Sequence, residues 1–330
     1  MTPAGRKKKR PARRAAAALT VGALLKEGER RLKKRDVEFP DASALWLLAY
    51  VLGEIEDPDA LDKRRTRPVS ETEAQKYRAL LARREKHEPF QYLVGVVDFR
   101  GKLMEIEHGV FVPRDQTERM CDEVEAWARS RRPPRGGWRI ADLGTGSGAI
   151  AVSLAAGSMR PKRVYAVDIS PRALDLVRRN ARRHRMGGRV RGVAGDWMTM
   201  FRPESLDVVC AVPPYLNPGD EKYVGEEALT WEPRRAFFGE PSGDQVLRRI
   251  IDQAGEKLRP GGLLALQADS DQIPGLVDYV NEDPDHPLTV VWILHDEEKD
   301  EDAILAVKAP AGKPPVRRAS AKPSRARKAR

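Results

Sequence analysis

Residues 140–150 read Ile-Ala-Asp-Leu-Gly-Thr-Gly-Ser-Gly-Ala-Ile, and few folds accommodate such a run. Its first half has the apolar content of a buried strand, and its second half that of a helix. Between them Gly144, Gly146 and Gly148 permit left-handed torsions and a close approach of backbone to ligand. The next strand-like run ends in Val167-Asp168. An acid at a strand end roughly 20 residues past such a turn is placed to accept hydrogen bonds from both ribose hydroxyls of a nucleotide. From Trp138 onward, strand-like runs (139–143, 163–168, 190–194, 206–211, 263–268) alternate with helical stretches (148–156, 171–185, 245–258). That alternation predicts an α/β fold, a parallel sheet with helices on both faces. Two last runs, 288–294 and 303–308, have no helix between them and predict an antiparallel pair at the sheet edge.

The 330 residues exceed an ordinary single domain, and the first third reads differently. Leu19, Leu24, Leu25 and Leu32 recur at helical spacing, and residues 41–52 repeat the pattern behind Pro40. Ser70 and Glu73 stand at capping-box distance before a third helix that runs to about Lys86. Residues 16–86 are therefore expected to form a small helical domain. Residues 87–115 are expected to form a β-hairpin linker with its tip at Phe99–Leu103 and its second strand ending at Val110 and Val112. Residues 116–308 form the α/β domain. Seven of the 60 basic residues lie in 1–14 and nine in 308–330, with no acid in either stretch, so the remaining chain is slightly acidic. Such blocks stay solvated, which marks 1–15 and 309–330 as disordered basic tails able to attract RNA or ribosomes by neutralising phosphate.

Several function classes drop out. The longest apolar run, Ala44–Gly53, is far short of the ~20 residues a bilayer crossing needs. No small-residue cleavage site follows residues 1–25, so no export signal is expected. Cys121 and Cys210 make neither a disulfide framework nor a zinc cage, which suits a reducing cytoplasm, and Cys210 reads as buried filler. The five histidines show no ligand spacing, and no metal is expected. No Gly-x-Ser-x-Gly elbow exists for a hydrolase. Arg178, Arg179, Arg182 and Arg183 make a basic helix face that reads as solvated.

Two cofactors compete for the glycine turn. Gly144, Gly146 and Ala149 satisfy the dinucleotide pattern. Asp142, Gly144, Gly146 and Gly148 satisfy an acid-x-Gly-x-Gly-x-Gly pattern suited to S-adenosyl-L-methionine. A carboxylate at Asp142 repels a pyrophosphate and suits a cationic amino group, directly or through water, so electrostatics favours S-adenosylmethionine. Asp196 and Trp197 follow the third strand at the same sheet edge. There an aromatic ring covers an adenine face and a carboxylate accepts from the adenine amino group; the alternative is a core tryptophan capping the sheet. Val212-Pro213-Pro214-Tyr215 leaves the fourth strand toward the same edge. Two prolines fix the backbone, aiming carbonyl oxygens and the Tyr215 ring at one point where a flat amide or base can sit.

Here the sequence resembles a family. Pro-Pro-Tyr after strand four is similar to the Asn-Pro-Pro-Tyr signature of class I methyltransferases that act on planar nitrogens. The order of TVGALLKEGERRL (20–32), ALLARREKHEPFQYLVGVVDFRG (79–101), VFVPRDQTE (110–118), RIADLGTGSGAIAVSLA (139–155), VYAVDIS (164–170), GDW (195–197), WEPRRAFFGEPSGDQVLRRII (231–251) and LRPGGLLAL (258–266) resembles the release-factor glutamine methyltransferases, the PrmC/HemK type, over about residues 18–308. The resemblance implies a class I, Rossmann-like seven-stranded methyltransferase domain. It also implies a helical domain that docks a peptide chain release factor, and methyl transfer to the side-chain amide of the glutamine in a Gly-Gly-Gln loop. Carried over, Gly144, Thr145, Gly146, Ser147, Gly148, Asp168, Asp196 and Trp197 bind the cofactor, with Asp142 beside them. Pro113 and Arg114 shield it, Pro213, Pro214 and Tyr215 hold the target amide, and Glu232-Pro233-Arg234 plays a structural role nearby. A cytoplasmic monomer is expected.

The chain departs from the signature at its first position, where Val212 stands for asparagine. An amide nitrogen is a poor nucleophile because its lone pair is delocalised, and the asparagine carboxamide both accepts from that nitrogen and donates to the substrate carbonyl. Valine does neither, and one oriented polar contact of this kind is worth on the order of 10²–10³ in rate. The Pro213 carbonyl can suffice in a slow enzyme, Asn217 or Asp220 can replace the acceptor, or the substrate differs. Methylation of another planar nitrogen, such as an RNA base, and a weakened paralogue that only binds cofactor and partner both stay open.

Overall fold

The computed structural model describes residues 19–283, 285–294 and 301–309. They divide into two units between Val94 and Gly95. The first unit is helical, with α1 (Val21–Lys33), α2 (Pro40–Leu52), the short α3 (Asp59–Asp62), α4 (Glu71–Arg84) and α5 (Phe90–Val94). Thr20 caps α1 by accepting from the Ala23 N–H at 3.3 Å. The expected capping box of α4 is present, Ser70 Oγ accepting from Glu73 N–H while the Glu73 carboxylate accepts from Ser70 N–H. Helices α1, α2 and α4 pack on one another and bury Leu24, Leu32, Leu47, Leu48, Tyr77 and Leu81. A cation also lies inside. Arg84 is 1 % exposed and donates to Ser43 Oγ and to the carbonyls of Glu88 and Glu38, at 2.9–3.1 Å. The unit runs past the expected boundary at residue 86, because the Phe90 ring packs on Trp46 with centroids 6.2 Å apart.

The second unit opens with β1 (Val96–Asp98) and β2 (Leu103–Glu105), paired antiparallel around the expected tip. The second strand ends at Glu105, not at Val112. Val110 and Val112 are buried in an unpaired segment, and the Val112 N–H donates to the Glu232 carboxylate at 2.9 Å instead of to a strand. Then follow α6 (Gln116–Arg129), β3 (Arg139–Leu143), α7 (Ala149–Ala156), β4 (Arg163–Asp168), α8 (Pro171–Arg183), β5 (Val190–Ala194), β6 (Leu206–Ala211), α9 (Glu226–Trp231), α10 (Gly243–Lys257), β7 (Leu258–Asp269), α11 (Ile273–Glu282), β8 (Leu288–Leu294) and β9 (Glu301–Lys308).

Seven of these strands form one sheet in the order β5-β4-β3-β6-β7-β9-β8. The first five are parallel, β9 runs antiparallel to β7, and β8 antiparallel to β9, as expected of the edge pair. This is the class I methyltransferase architecture. Every residue of β6 is buried, as a central parallel strand covered on both faces requires. Helix α11 was not legible, because Pro274 and Gly275 interrupt its period, although Leu276, Val277 and Val280 are buried on one face. Strand order reverses between β3 and β6, and ligands of such sheets bind outside the carboxyl ends at that reversal.

One core cluster joins Val209 and Ala211 of β6, Leu264 and Leu266 of β7, and Val246, Leu247, Ile250 and Ile251 of α10. Leu247 is fully buried there. Leu247→Ala is expected to lower stability by about 2–5 kcal/mol in denaturant unfolding. A change under about 0.5 kcal/mol, the scale of a surface substitution, would contradict this packing.

Candidate active site

Strands β3 and β6 pair in register up to Leu143 and Ala211, so the turns leaving them are neighbours. Gly144 and Gly146 hold φ of +63° and +54°, a region that penalises side chains. A Cβ built on Gly144 would lie 3.7 Å from the Trp197 ring and 3.8 Å from the Val212 carbonyl oxygen. The glycine turn, the tryptophan and the proline corner thus face one another. Between them opens a cleft of about 560 Å³. Gly144, Thr145, Gly146, Ser147, Asp168, Asp196, Trp197 and Val212–Tyr215 line it, and Arg114 lines it from the segment after β2.

Asp168 ends β4 with its carboxylate committed to backbone. Gly146 N–H donates to Oδ2 at 3.0 Å and Ser170 N–H to Oδ1 at 2.8 Å. Burial raises its carboxyl above the ordinary value, opposed by those two N–H groups and by Arg235. Asp196 pairs with Arg249 at 2.5 Å. Trp197 is half-buried at φ +54°, one of eight non-glycine residues in the left-handed region among the described residues.

Two expected cofactor residues lie elsewhere. Asp142 does not reach the cleft. It is fully buried beneath the turn, where Oδ2 accepts from the Thr145 hydroxyl at 2.5 Å and from Ala151 N–H at 3.0 Å. It ties the turn to α7 through Oδ2, while its Oδ1 is buried with no hydrogen-bond partner among the described residues. Gly148 also stands off the wall; a Cβ there would press on Val177 of α8 at 3.0 Å, so it serves helix packing.

The proline corner is clamped from behind. Gln272 Nε2 donates to the Tyr215 carbonyl at 2.8 Å. Leu216 N–H donates to Phe237 O, and Gly239 N–H to Leu216 O. The Gly243 backbone passes so close that a Cβ there would fall 1.7 Å from the Tyr215 carbonyl oxygen. Asn217 accepts from Gly243 N–H at 3.0 Å, and neither it nor Asp220, one of the three alternatives left open for the acceptor, is among the residues lining the cleft. Arg114 donates to Val112 O and to Glu232, whose carboxylate is buried, and its guanidinium lies 4.5 Å over the Phe111 ring. Glu232 thus holds the 106–115 segment to the region after β6, the structural role expected of it. Phe111 meets Phe237 edge-on at 5.4 Å.

Sequence reasoning missed Thr117, Arg235, Phe237 and Gln267, all of which line the cleft. For Gln267 a signal existed, a lone polar residue inside the apolar run 263–268. Cys121 and Cys210 are buried with both thiols pushed up by burial, which removes them as nucleophiles. Arg179 of the basic helix face is spent on Glu105, Glu107 and Asp175. Among the described residues no three His, Cys, Asp or Glu side chains gather as a metal site.

The cleft suits a nucleoside with a charged amino-acid tail. Its volume is that of a small-molecule site, the side-chain-free turn admits close approach, and Ser147 Oγ is buried with no hydrogen-bond partner among the described residues.

Comparison with known proteins agrees. A family model described as the PrmC N-terminal domain matches residues 23–95, and one described as a methyltransferase domain matches residues 140–229. The release factor glutamine methyltransferase of Moorella thermoacetica is 36 % identical over 254 residues, covering 77 % of this chain and 87 % of that protein. This chain belongs to the release factor glutamine methyltransferase family. The Bordetella pertussis member is 36 % identical over 231 residues, 70 % of this chain and 77 % of its own. Among solved structures, a Pyrococcus furiosus methyltransferase covers 64 % of this chain and 90 % of its own at 16 % identity and a TM-score of 0.44. As a member of the family, the chain is an S-adenosylmethionine-dependent methyltransferase.

Two outcomes are expected of this family member's site. Gly243→Ala drives its new methyl into the Tyr215 carbonyl, displaces the corner and abolishes methyl transfer, while binding of S-adenosylhomocysteine in calorimetry falls far less. Equal losses of both would contradict the clamp. The second concerns pH. Burial pushes the Asp142 carboxyl from 3.8 up to about 7. Between those values the folded chain holds a proton that the unfolded chain has released, so this group makes stability fall as pH rises from about 4 to about 7. Asp142→Asn cannot ionise and is expected to flatten that part of the stability–pH curve; an unchanged slope would contradict it.

Proposed function

We propose that this chain transfers a methyl group from S-adenosyl-L-methionine to the side-chain amide nitrogen of a glutamine in a protein, the Gly-Gly-Gln loop of a peptide chain release factor. The observation that carries the reading is the rigid Val212–Tyr215 corner facing the glycine turn across one cleft. The names of the relatives, and the match of residues 23–95 to the PrmC N-terminal domain, support the release factor as partner and the helical unit as its dock. Gly144, Thr145, Gly146, Ser147, Asp168, Asp196, Trp197 and Arg114 hold the cofactor. Pro213, Pro214 and Tyr215 hold the amide. The reaction belongs to translation, hence to the cytoplasm, and among the described residues no helix is long and apolar enough to cross a membrane. The basic tails proposed to touch RNA or ribosomes lie outside the described residues.

The cofactor supplies an electrophilic methyl on a sulfonium. The protein supplies orientation, because an amide needs no strong base so much as a fixed direction of approach. Pro213 and Pro214 lock the carbonyls that accept from the amide N–H. Tyr215 offers a flat ring to the amide plane. Phe111 and Phe237 help wall the cleft from water, which strengthens each of these contacts.

Incubation of the chain with release factor and S-adenosylmethionine, read by mass spectrometry, is expected to place one methyl on the glutamine of the loop. Asp168→Ala is expected to weaken S-adenosylhomocysteine binding in calorimetry by about 10–100-fold, the worth of hydrogen bonds to a carboxylate. Methyl found on an RNA base instead, or tight partner binding with no transfer, would replace this reading. Wild-type and Asp168→Ala chains that both fail to bind would remove it.

A further inference from the structure

Two adjacent arginines after α9 have different surroundings. Arg234 pairs with Glu221 and lies 4.5 Å over the Phe238 ring, and it is not among the residues lining the cleft. Arg235 is exposed and lines the cleft beside Asp168 and Ser170. Its Nη2 donates to the Ser170 hydroxyl at 3.2 Å, and the Ser170 N–H donates in turn to Asp168 Oδ1 at 2.8 Å. The guanidinium charge also reaches the Asp168 carboxylate and favours its ionised form against burial. Asp168 faces the N–H groups of Gly146, Ile169 and Ser170, the Arg235 cation and, from β3, the Asp142 carboxyl. Arg235 is thus the cation that acts on this acid, and it comes from the segment after β6.

That segment touches the other walls as well. Glu232 accepts from the Val112 N–H and from Arg114, and the Phe237 carbonyl accepts from the Leu216 N–H behind the proline corner. Residues 232–238 therefore run from the 106–115 segment to the corner, and Arg235 is where they meet the turn after β4. A carboxylate accepts most strongly from ribose hydroxyls when it is ionised and fixed in direction, and a guanidinium beside it favours both. We propose that Arg235 is a positioning residue of the cofactor site, which holds the Asp168–Ser170 turn to the segment behind the proline corner and keeps Asp168 ready to take the ribose. It forms no covalent bond and moves no proton. The proposal deepens the reading of Asp168 as a cofactor residue and rests on it.

The test measures S-adenosylhomocysteine affinity by calorimetry from about pH 4 to about pH 8, the range in which a raised carboxyl titrates. It compares wild type, Arg235→Met, Asp168→Asn and the double variant. Arg235→Met is expected to weaken binding about three- to tenfold near neutral pH, the scale of one partly exposed charge contact. It is also expected to move the pH at which binding fails upward, because without the cation Asp168 takes up its proton earlier as pH falls. Added to Asp168→Asn, which cannot ionise, Arg235→Met is expected to cost less and to leave the pH profile unmoved. Asp142 titrates in the same range, so the pair is repeated on an Asp142→Asn background, where the upward move is expected to persist. An Arg235→Met profile that does not move, or moves only while Asp142 is present, would overturn the inference. So would an equal loss with and without the Asp168 carboxylate, the mark of a merely structural role in the segment. Should circular dichroism show Arg235→Met misfolded, Arg235→Gln, equally uncharged and still able to bond Ser170, carries the same test. Wild type and Asp168→Asn that bind the cofactor equally remove the reading of Asp168, and this inference with it. A weakened Asp168→Asn confines any failure to Arg235.

Discussion

The pairing of β3 with β6 is the interaction on which the rest depends. These two strands are sequentially distant, hydrogen-bonded in register, and send their crossovers to opposite sides of the sheet. Their carboxyl ends therefore splay into a crevice at the edge of the sheet. Much of the cleft wall sits at the carboxyl ends of the parallel strands: the glycine turn after β3, Asp168 at the end of β4, Trp197 after β5, the proline corner after β6, Gln267 near the end of β7, with Arg114 reaching it from the segment after β2 and Thr117 from α6. A one-residue slip between β3 and β6 would move the Val212 carbonyl off the glycine turn and turn its side chain to the other face.

Around that crevice, burial sorts the acids by task. Asp142, without access to solvent or cleft, holds the turn in shape and keeps its proton toward neutrality. Asp168 stays on the wall, its carboxylate spread over two backbone N–H groups, so its position is fixed before any ligand arrives. Asp196 is exposed and tied to Arg249. Three acids that look alike beside three sheet-edge turns in sequence thus have separate surroundings, set by how far along the chain each lies: Asp142 inside β3, Asp168 at the end of β4 and Asp196 beyond β5.

Much of this was legible in the sequence, because local rules and the fold agree there. The alternation of apolar runs gave the sheet, Ser70 and Glu73 marked the start of α4, and the glycines announced the turn. What escaped reading depends on the third dimension. Asp142 carries the right chemistry for a cofactor contact, but one of its oxygens is engaged by Thr145 and Ala151. Val110 and Val112 have strand-like spacing, yet the Val110 N–H turns back to the Glu107 carbonyl and the Val112 N–H is claimed by Glu232, 120 positions along the chain. Arg84 looks like a surface helix residue until Ser43 and two loop carbonyls close around it. Gln267 sits next to Val212 only through the β6–β7 register. In each case the missing information was a long-range neighbour rather than a local propensity.

The most direct measurement is a crystal structure of the chain grown with S-adenosylhomocysteine. The account predicts the ribose hydroxyls on Asp168, the adenine beside Trp197 and the homocysteine sulfur facing the Val212–Tyr215 corner, with Asp142 still closed beneath the turn. A ligand seated elsewhere, or one whose sulfur faces away from that corner, would contradict it.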